Sequence, residues 1–310
     1  MPQQATVRGP FRKGWIWVAQ AALAGLVVWF VWRSVAGNLT QFRSLDVPLR
    51  FRVQMIVPAV FAVWLAYALL IIAWRTVLGG WQQHLPIGSA MRIWCISNLG
   101  RYIPGKLWSV AGLTVLAQRE GVHGWAAAAS ALAMQGLSVG TGAGVVLAFL
   151  PQAGSPILLS AAIAVAVASI VALTLKPTVA ALARVARGRL QLQPLPATAV
   201  LVGAGATLSA WVLYGMAFRL LALCIVPASA PSLPLAMGAF TGAYIVGLFA
   251  IFAPGGVVVR ELMLVGFLAP TMGSGPALAI SIASRLLWTF AEVVAAIVAL
   301  PLGASKGERV

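Results

Sequence analysis

Residues Asn98–Ser109 read NLGRYIPGKLWS. In a chain that is otherwise overwhelmingly apolar, this short stretch holds Arg101, Lys106 and the break Pro104-Gly105. A second stretch, FAPGGVVVREL from Phe252 to Leu262, answers it in the other half. A charged side chain at the centre of a bilayer costs about 2.5–3.5 kcal/mol on insertion scales. Broken backbone survives there only when buried in protein or facing a water-filled cavity. Two such stretches in one apolar chain therefore mark a site, and the rest of the sequence is read outward from them.

The 310 residues are 61% hydrophobic and only 8% charged, with a mean hydropathy of +0.97. A soluble domain keeps about a quarter of its residues charged. The fold class expected is therefore all-α: a polytopic integral membrane protein, one transmembrane domain over 1–310 with a cytoplasmic tail at 1–14 and a second tail at 301–310. No polar tract longer than roughly 25 residues separates the apolar runs, which leaves no room for a soluble catalytic domain. The net charge of +16 would suggest nucleic acid in a soluble protein. Here many of the basic residues stand at the ends of apolar runs, so they read as topology signals and contacts to anionic headgroups, with no nucleic-acid partner. Cys95 and Cys224 lie in apolar surroundings outside any metal-like spacing and read as small buried hydrophobes. His84 and His123 are far apart without an acidic neighbour. With no G-x-S-x-G and no Asp-rich diphosphate motif either, the sequence predicts no enzyme, no cofactor and no metal.

Taken in order, the apolar runs predict about seven spans: Trp15–Trp32 (an uncleaved first span edged by tryptophans), Val53–Trp74, Trp125–Leu150, Ile157–Leu175, Ala197–Val226, Leu235–Ala253 and Ala277–Leu300. Between the second and third, a helix runs through Met91 to Arg101, breaks at Pro104-Gly105 and resumes from Lys106 to Gln118. Each piece is about 20–24 Å long at 1.5 Å per residue, too short for a hydrocarbon core of roughly 30 Å. A re-entrant hairpin is the natural expectation, one kinked span the alternative. Val257–Ala269, after the second break, is also short, and Thr271–Pro276 reads as a turn. Gly136, Gly140 and Gly144 form a strip against which a neighbouring helix is expected to pack closely. The basic loop from Lys176 to Arg189 and the C-terminal tail should be cytoplasmic, the uncharged turns 151–156 and 227–234 external. The connector 33–52 falls outside if Met91–Gln118 is re-entrant and inside if it crosses.

Each break has an aromatic-x-Pro-Gly core, Tyr102-Ile103-Pro104-Gly105 and Phe252-Ala253-Pro254-Gly255, which fits a weak internal duplication. Paired discontinuous helices in transporters meet near the midplane and aim their N-terminal ends at anionic groups. Arg101, Lys106 and Arg260 concentrate positive charge suited to phosphate, and Asn98 and Ser97 offer neutral hydrogen bonds. The five acids are Asp46, Glu120, Glu261, Glu292 and Glu308. Ser281, Arg285, Trp288 and Glu292 share one helix face, so Arg260, Glu261, Arg285 and Glu292 are expected to form a charge network. It serves either as a fixed lock or as a gate that a substrate phosphate opens.

SNLGRYIPGKLWSVAGLTVLAQREG (97–121) and APGGVVVREL (253–262) resemble the two hallmark regions of the flippase-like transmembrane domain of lysylphosphatidylglycerol synthases. Single-domain relatives of that domain are associated with hopanoid synthesis and polyprenyl-linked glycosyltransfer. GRYIPGK is also similar to a shorter element of DedA-type transporters, associated with undecaprenyl phosphate. The resemblance implies a lipid translocase of the bacterial inner membrane with two re-entrant elements. It places Asn98, Arg101, Pro104, Gly105 and Lys106 on the first motif and Pro254, Gly255, Gly256, Arg260 and Glu261 on the second. The soluble synthetase domain of the full synthases has no counterpart in this sequence, so aminoacylation is not expected. The expected partner is an anionic lipid or a polyprenyl-phosphate-linked headgroup; a non-transporting subunit for a glycosyltransferase or another lipid-modifying enzyme is the alternative.

Overall fold

In oil a backbone must satisfy its own hydrogen bonds, so long apolar runs become helices. The structure, a computed structural model, describes residues 29, 52–103, 108–150, 160, 163–164, 167–168, 171–176, 194–250, 256 and 258–302. Among the described residues it is helical and contains no strand. Four helical stretches are long and apolar enough to cross a membrane: Val53–Gly79, Gly124–Phe149, Ala197–Ile225 and Ser274–Ala299. They coincide with four of the expected spans, and the protein is a membrane protein by that measure. The first span Trp15–Trp32 apart from Trp29, the connector 33–51, the turn 151–156, most of Ile157–Leu175, the loop 177–193, and Lys306 and Arg309 lie outside the described residues.

In chain order the helices are α1 (Ile56–Gly79), α2 (Ile87–Asn98), α3 (Trp108–Arg119), α4 (Gly124–Phe149), α5 (Ala197–Ile225), α6 (Leu233–Phe249), α7 (Val259–Met272) and α8 (Ser274–Ala299). The turn expected at Thr271–Pro276 is present but tighter, and the helices on either side of it pack against each other. One residue, Gly273 with φ 85°, separates α7 from α8. Pro276 lies in the first turn of α8, where a missing N–H leaves no intrahelical bond unmade, and Pro270 in the last turn of α7, where it removes one.

The glycine strip is kept only in part: Gly140 is buried and Gly144 half-buried. Gly136 is exposed, with nothing within 4 Å of where a Cβ would stand. The close approach is at Gly142, where a Cβ would meet Ile245 at 2.9 Å and Trp211 at 3.0 Å. The facing row of α4 is chosen by polar bonds to α5: Trp211 Nε1 donates to the Ser138 carbonyl at 3.1 Å, and the Thr141 and Thr207 hydroxyls bond at 3.0 Å. Such interhelical hydrogen bonds fix rotation where lipid supplies no apolar contrast.

Two apolar cores result. One joins the first half of α1 (through Tyr67) to the second half of α5, α6, α7 and α8 up to Ala291. The other joins the rest of α1 from Ile71 to α2, α3, α4, the start of α5 and the end of α8. Leu70 and Ala295 touch both. Helices α1, α5 and α8 thus pass from one core to the next, and the polar residues of interest lie along α1 and α8.

Candidate functional site

The first interrupted segment begins where α2 stops. Its last residue, Asn98, leads into a tight 3-10 turn, Leu99–Tyr102, after which Ile103 turns extended (φ −83°, ψ 137°). That is the conformation forced on a residue preceding proline. Gly100 then lies against the start of α3: a Cβ there would stand 2.9 Å from the Ser109 nitrogen and 3.0 Å from the Trp108 carbonyl carbon. The two short helices pack against each other. At 12 residues each they are about 18 Å long.

The second interruption falls between α6 and α7. Gly256 and Val258 both have φ 71°. The glycine adopts it freely, and it lies so close to Gly247 that a Cβ would meet that backbone at 3.1 Å. Val258, a β-branched residue, pays for the left-handed conformation with strain of about 1–3 kcal/mol, a condition that clusters at ligand and switch sites. Helix α7 starts directly after it, uncapped by any side chain. Pro104, Gly105, Lys106, Pro254 and Gly255 lie outside the described residues.

Both segments converge on one buried face of α8. As the spacing of four, three and four predicts, Ser281, Arg285, Trp288 and Glu292 are all buried. The charge network, however, is partitioned otherwise than expected. Glu292, 3% exposed, pairs with Arg101 across the interior: Arg101 Nη1 donates to Oε1 at 2.9 Å. Tyr67 of α1 donates to the same oxygen at 3.0 Å and Tyr102 to Oε2 at 2.9 Å. The Tyr102 hydroxyl also lies 3.0 Å from Thr289 Oγ1. Arg101 in turn is held by Asn98, through Nη2 to Oδ1 at 2.9 Å and Nε to the backbone carbonyl at 3.2 Å. Ser97 takes no part, donating to the Trp94 carbonyl of its own helix.

Glu261 and Arg285 do meet, but loosely. Glu261 Oε1 stands 3.7 Å from Arg285 Nη1, and Oε2 is buried without a hydrogen-bond partner among the described residues. Ser281 Oγ donates to the Glu261 backbone carbonyl at 3.4 Å. Among the described residues Arg260 forms no ion pair with a carboxylate. Its guanidinium carbon lies 4.6 Å from the centre of the Phe240 ring and 5.7 Å from that of Trp288. The residue is 7% exposed, and Nε and Nη2 meet no acceptor among the described residues.

The sequence reading missed Tyr67, Thr289 and Phe240. Tyr67 and Phe240 sit on other helices and nothing in their local pattern marks them, whereas Thr289 lies on α8 itself, four residues after Arg285 and three before Glu292, where helical spacing could have found it. Tyr102 stood within the first motif but without a role. Among the described residues no group of His, Cys, Asp and Glu is placed to hold a metal ion. Comparison of the chain with protein-family models, with curated proteins and with solved structures returned no match.

Proposed function

We propose that this protein is a lipid translocase of the bacterial inner membrane, moving an anionic phospholipid or a polyprenyl-phosphate-linked headgroup between leaflets. The headgroup is received where the two interrupted segments meet α8, and the acyl chains stay in the bilayer. The observation that carries the reading is the delivery of two arginines, one from each interrupted segment, to the same buried helix face, with one of them lacking an acceptor for its Nε and Nη2 donors. A buried cation without a carboxylate is expensive, so its retention favours a ligand that supplies the missing charge. The resemblance of 97–121 and 253–262 to flippase-like domains supports the same conclusion, and would add Lys106, Pro104, Gly105, Pro254 and Gly255 to the headgroup's surroundings. Both short helical pieces flanking the first break suit a re-entrant element, which would place its turn within the membrane.

The test is reconstitution into vesicles with a headgroup-accessibility assay. The wild-type chain should equilibrate labelled phosphatidylglycerol between leaflets faster than empty vesicles do, and Glu261→Gln and Arg101→Ala should return the rate to the empty-vesicle level. An unchanged rate in both variants overturns transport. A second reading, a non-transporting subunit that docks a lipid-modifying enzyme, draws on the fully bonded Glu292 cluster, which suits a fixed lock. It is favoured if the two variants leave lipid exchange untouched while a co-purifying enzyme is lost.

A further inference from the structure

We infer that Arg260 is a dedicated oxyanion receptor, and that its Nε/Nη2 edge takes the single phosphodiester of a glycerophospholipid in preference to a phosphomonoester. This rests on the proposed reading of the protein as one that admits a lipid headgroup, and it names the linkage recognised.

The geometry turns on one edge of the Arg260 side chain; the like edge of Arg285 belongs to a residue already paired with Glu261. Phe240 and Trp288 lie against the guanidinium, at 4.6 and 5.7 Å from its central carbon. A ring face attracts the cation, but it does not accept the in-plane N–H bonds. Those at Nε and Nη2 point the same way along one side of the fork, and these are the two nitrogens left without acceptors among the described residues. Two parallel donors at that spacing match two oxygens of one phosphate.

Nearby groups are committed elsewhere. Glu292 is taken by Arg101 and two tyrosines. Glu261 follows Arg260 directly in the chain, so it projects from another side of the helix, towards Arg285. Arg260 is the second residue of α7, whose first-turn N–H groups have no acceptor within the helix and no capping side chain. An anion against the fork would therefore also meet the positive end of α7.

Charge chooses the linkage. Arg260 is within electrostatic reach of Arg285, Glu261 and Glu292. Of the charged side chains that meet at this face of α8, Arg101, Arg260 and Arg285 stand against Glu261 and Glu292, a surplus of one positive charge within that set. A phosphodiester carries one negative charge and cancels it. A phosphomonoester carries about −1.5 to −2 near neutral pH, and the excess would stay uncompensated in a buried setting.

The experiment is native mass spectrometry of the full chain in detergent, titrated with dihexanoyl phosphatidylglycerol, dihexanoyl phosphatidic acid or inorganic phosphate. Phosphatidylglycerol should bind most tightly, and Arg260→Lys, which keeps the charge but loses the fork, should weaken it about tenfold or more, the scale of one charge-assisted hydrogen bond. Equal or tighter binding of phosphatidic acid overturns the diester assignment, and free phosphate binding as well as the lipid overturns the lipid source. Arg260→Lys binding like wild type overturns the fork. The wild-type order of affinities needs no substitution, so a variant that fails to fold does not spare the proposal. Translocation is read separately: a fork that binds in a chain that moves no lipid sinks the transport reading alone, and lipid movement with wild-type binding by Arg260→Lys sinks the fork alone.

Discussion

The two interrupted segments each bring an arginine against α8 and treat it in opposite ways. Arg101 is closed: a carboxylate at 2.9 Å, an asparagine behind it, and two phenols completing the carboxylate. Arg260 is open: aromatic rings beside it, and donors along one edge without acceptors among the described residues. Burial alone does not separate them, since the open one is the more deeply buried. What separates them is whether the protein supplies the counter-charge itself. A cation balanced from within holds helices together, whereas one left unbalanced is held ready for something that arrives.

Arg101→Ala breaks the contrast most severely. It leaves Glu292 buried with two phenols and no cation, and should lower unfolding stability by about 3–5 kcal/mol, read by denaturant titration in detergent. If the pair is a lock, Arg101→Leu combined with Glu292→Leu should recover most of that loss, because an apolar pair of similar bulk is often no worse than a buried ion pair. Tyr102→Phe comes next: it removes a donor to Glu292, at a cost of about 1.5–3 kcal/mol, and the same titration reads it. Gly256→Ala should cost about 1–3 kcal/mol through its left-handed φ and the Gly247 backbone beside it. The smallest effect carries the most information. Arg260→Met should leave stability unchanged or raise it by about 1 kcal/mol, since it removes a buried charge whose Nε and Nη2 meet no acceptor among the described residues, while lipid binding is lost. A large loss of stability there would show that Arg260 is closed as Arg101 is, and the comparison would fail.

Both breaks were legible in the sequence because proline and glycine beside charges have few uses in oil. The buried face of α8 was legible too, since polar residues spaced four, three and four can share one side of a helix. The pairing was not. Glu292 met Arg101 rather than Arg260 because partner choice depends on how α2 and its following turn lie against α8, which no periodicity records. Tyr67 is an ordinary residue of an apolar helix until α1 is placed beside α8. The glycine strip held only in part, at Gly140, for a related reason: small residues permit close packing, but the bonds from Trp211 and Thr207 decided which row of α4 faces inward. The turn before α8 was legible in place but not in length, since Gly273 alone makes the break and both flanking prolines lie within helices.

The division of the interior into two apolar blocks, bridged where α1 and α8 carry Tyr67 and Glu292, has a mechanical consequence. The Tyr67–Glu292–Arg101 bonds are the polar part of that bridge, beside the apolar contacts of Leu70 and Ala295, and they strengthen in dry surroundings and weaken as solvent reaches them. Water admitted beside Arg101 therefore weakens the polar part of the joint and leaves the apolar part in place.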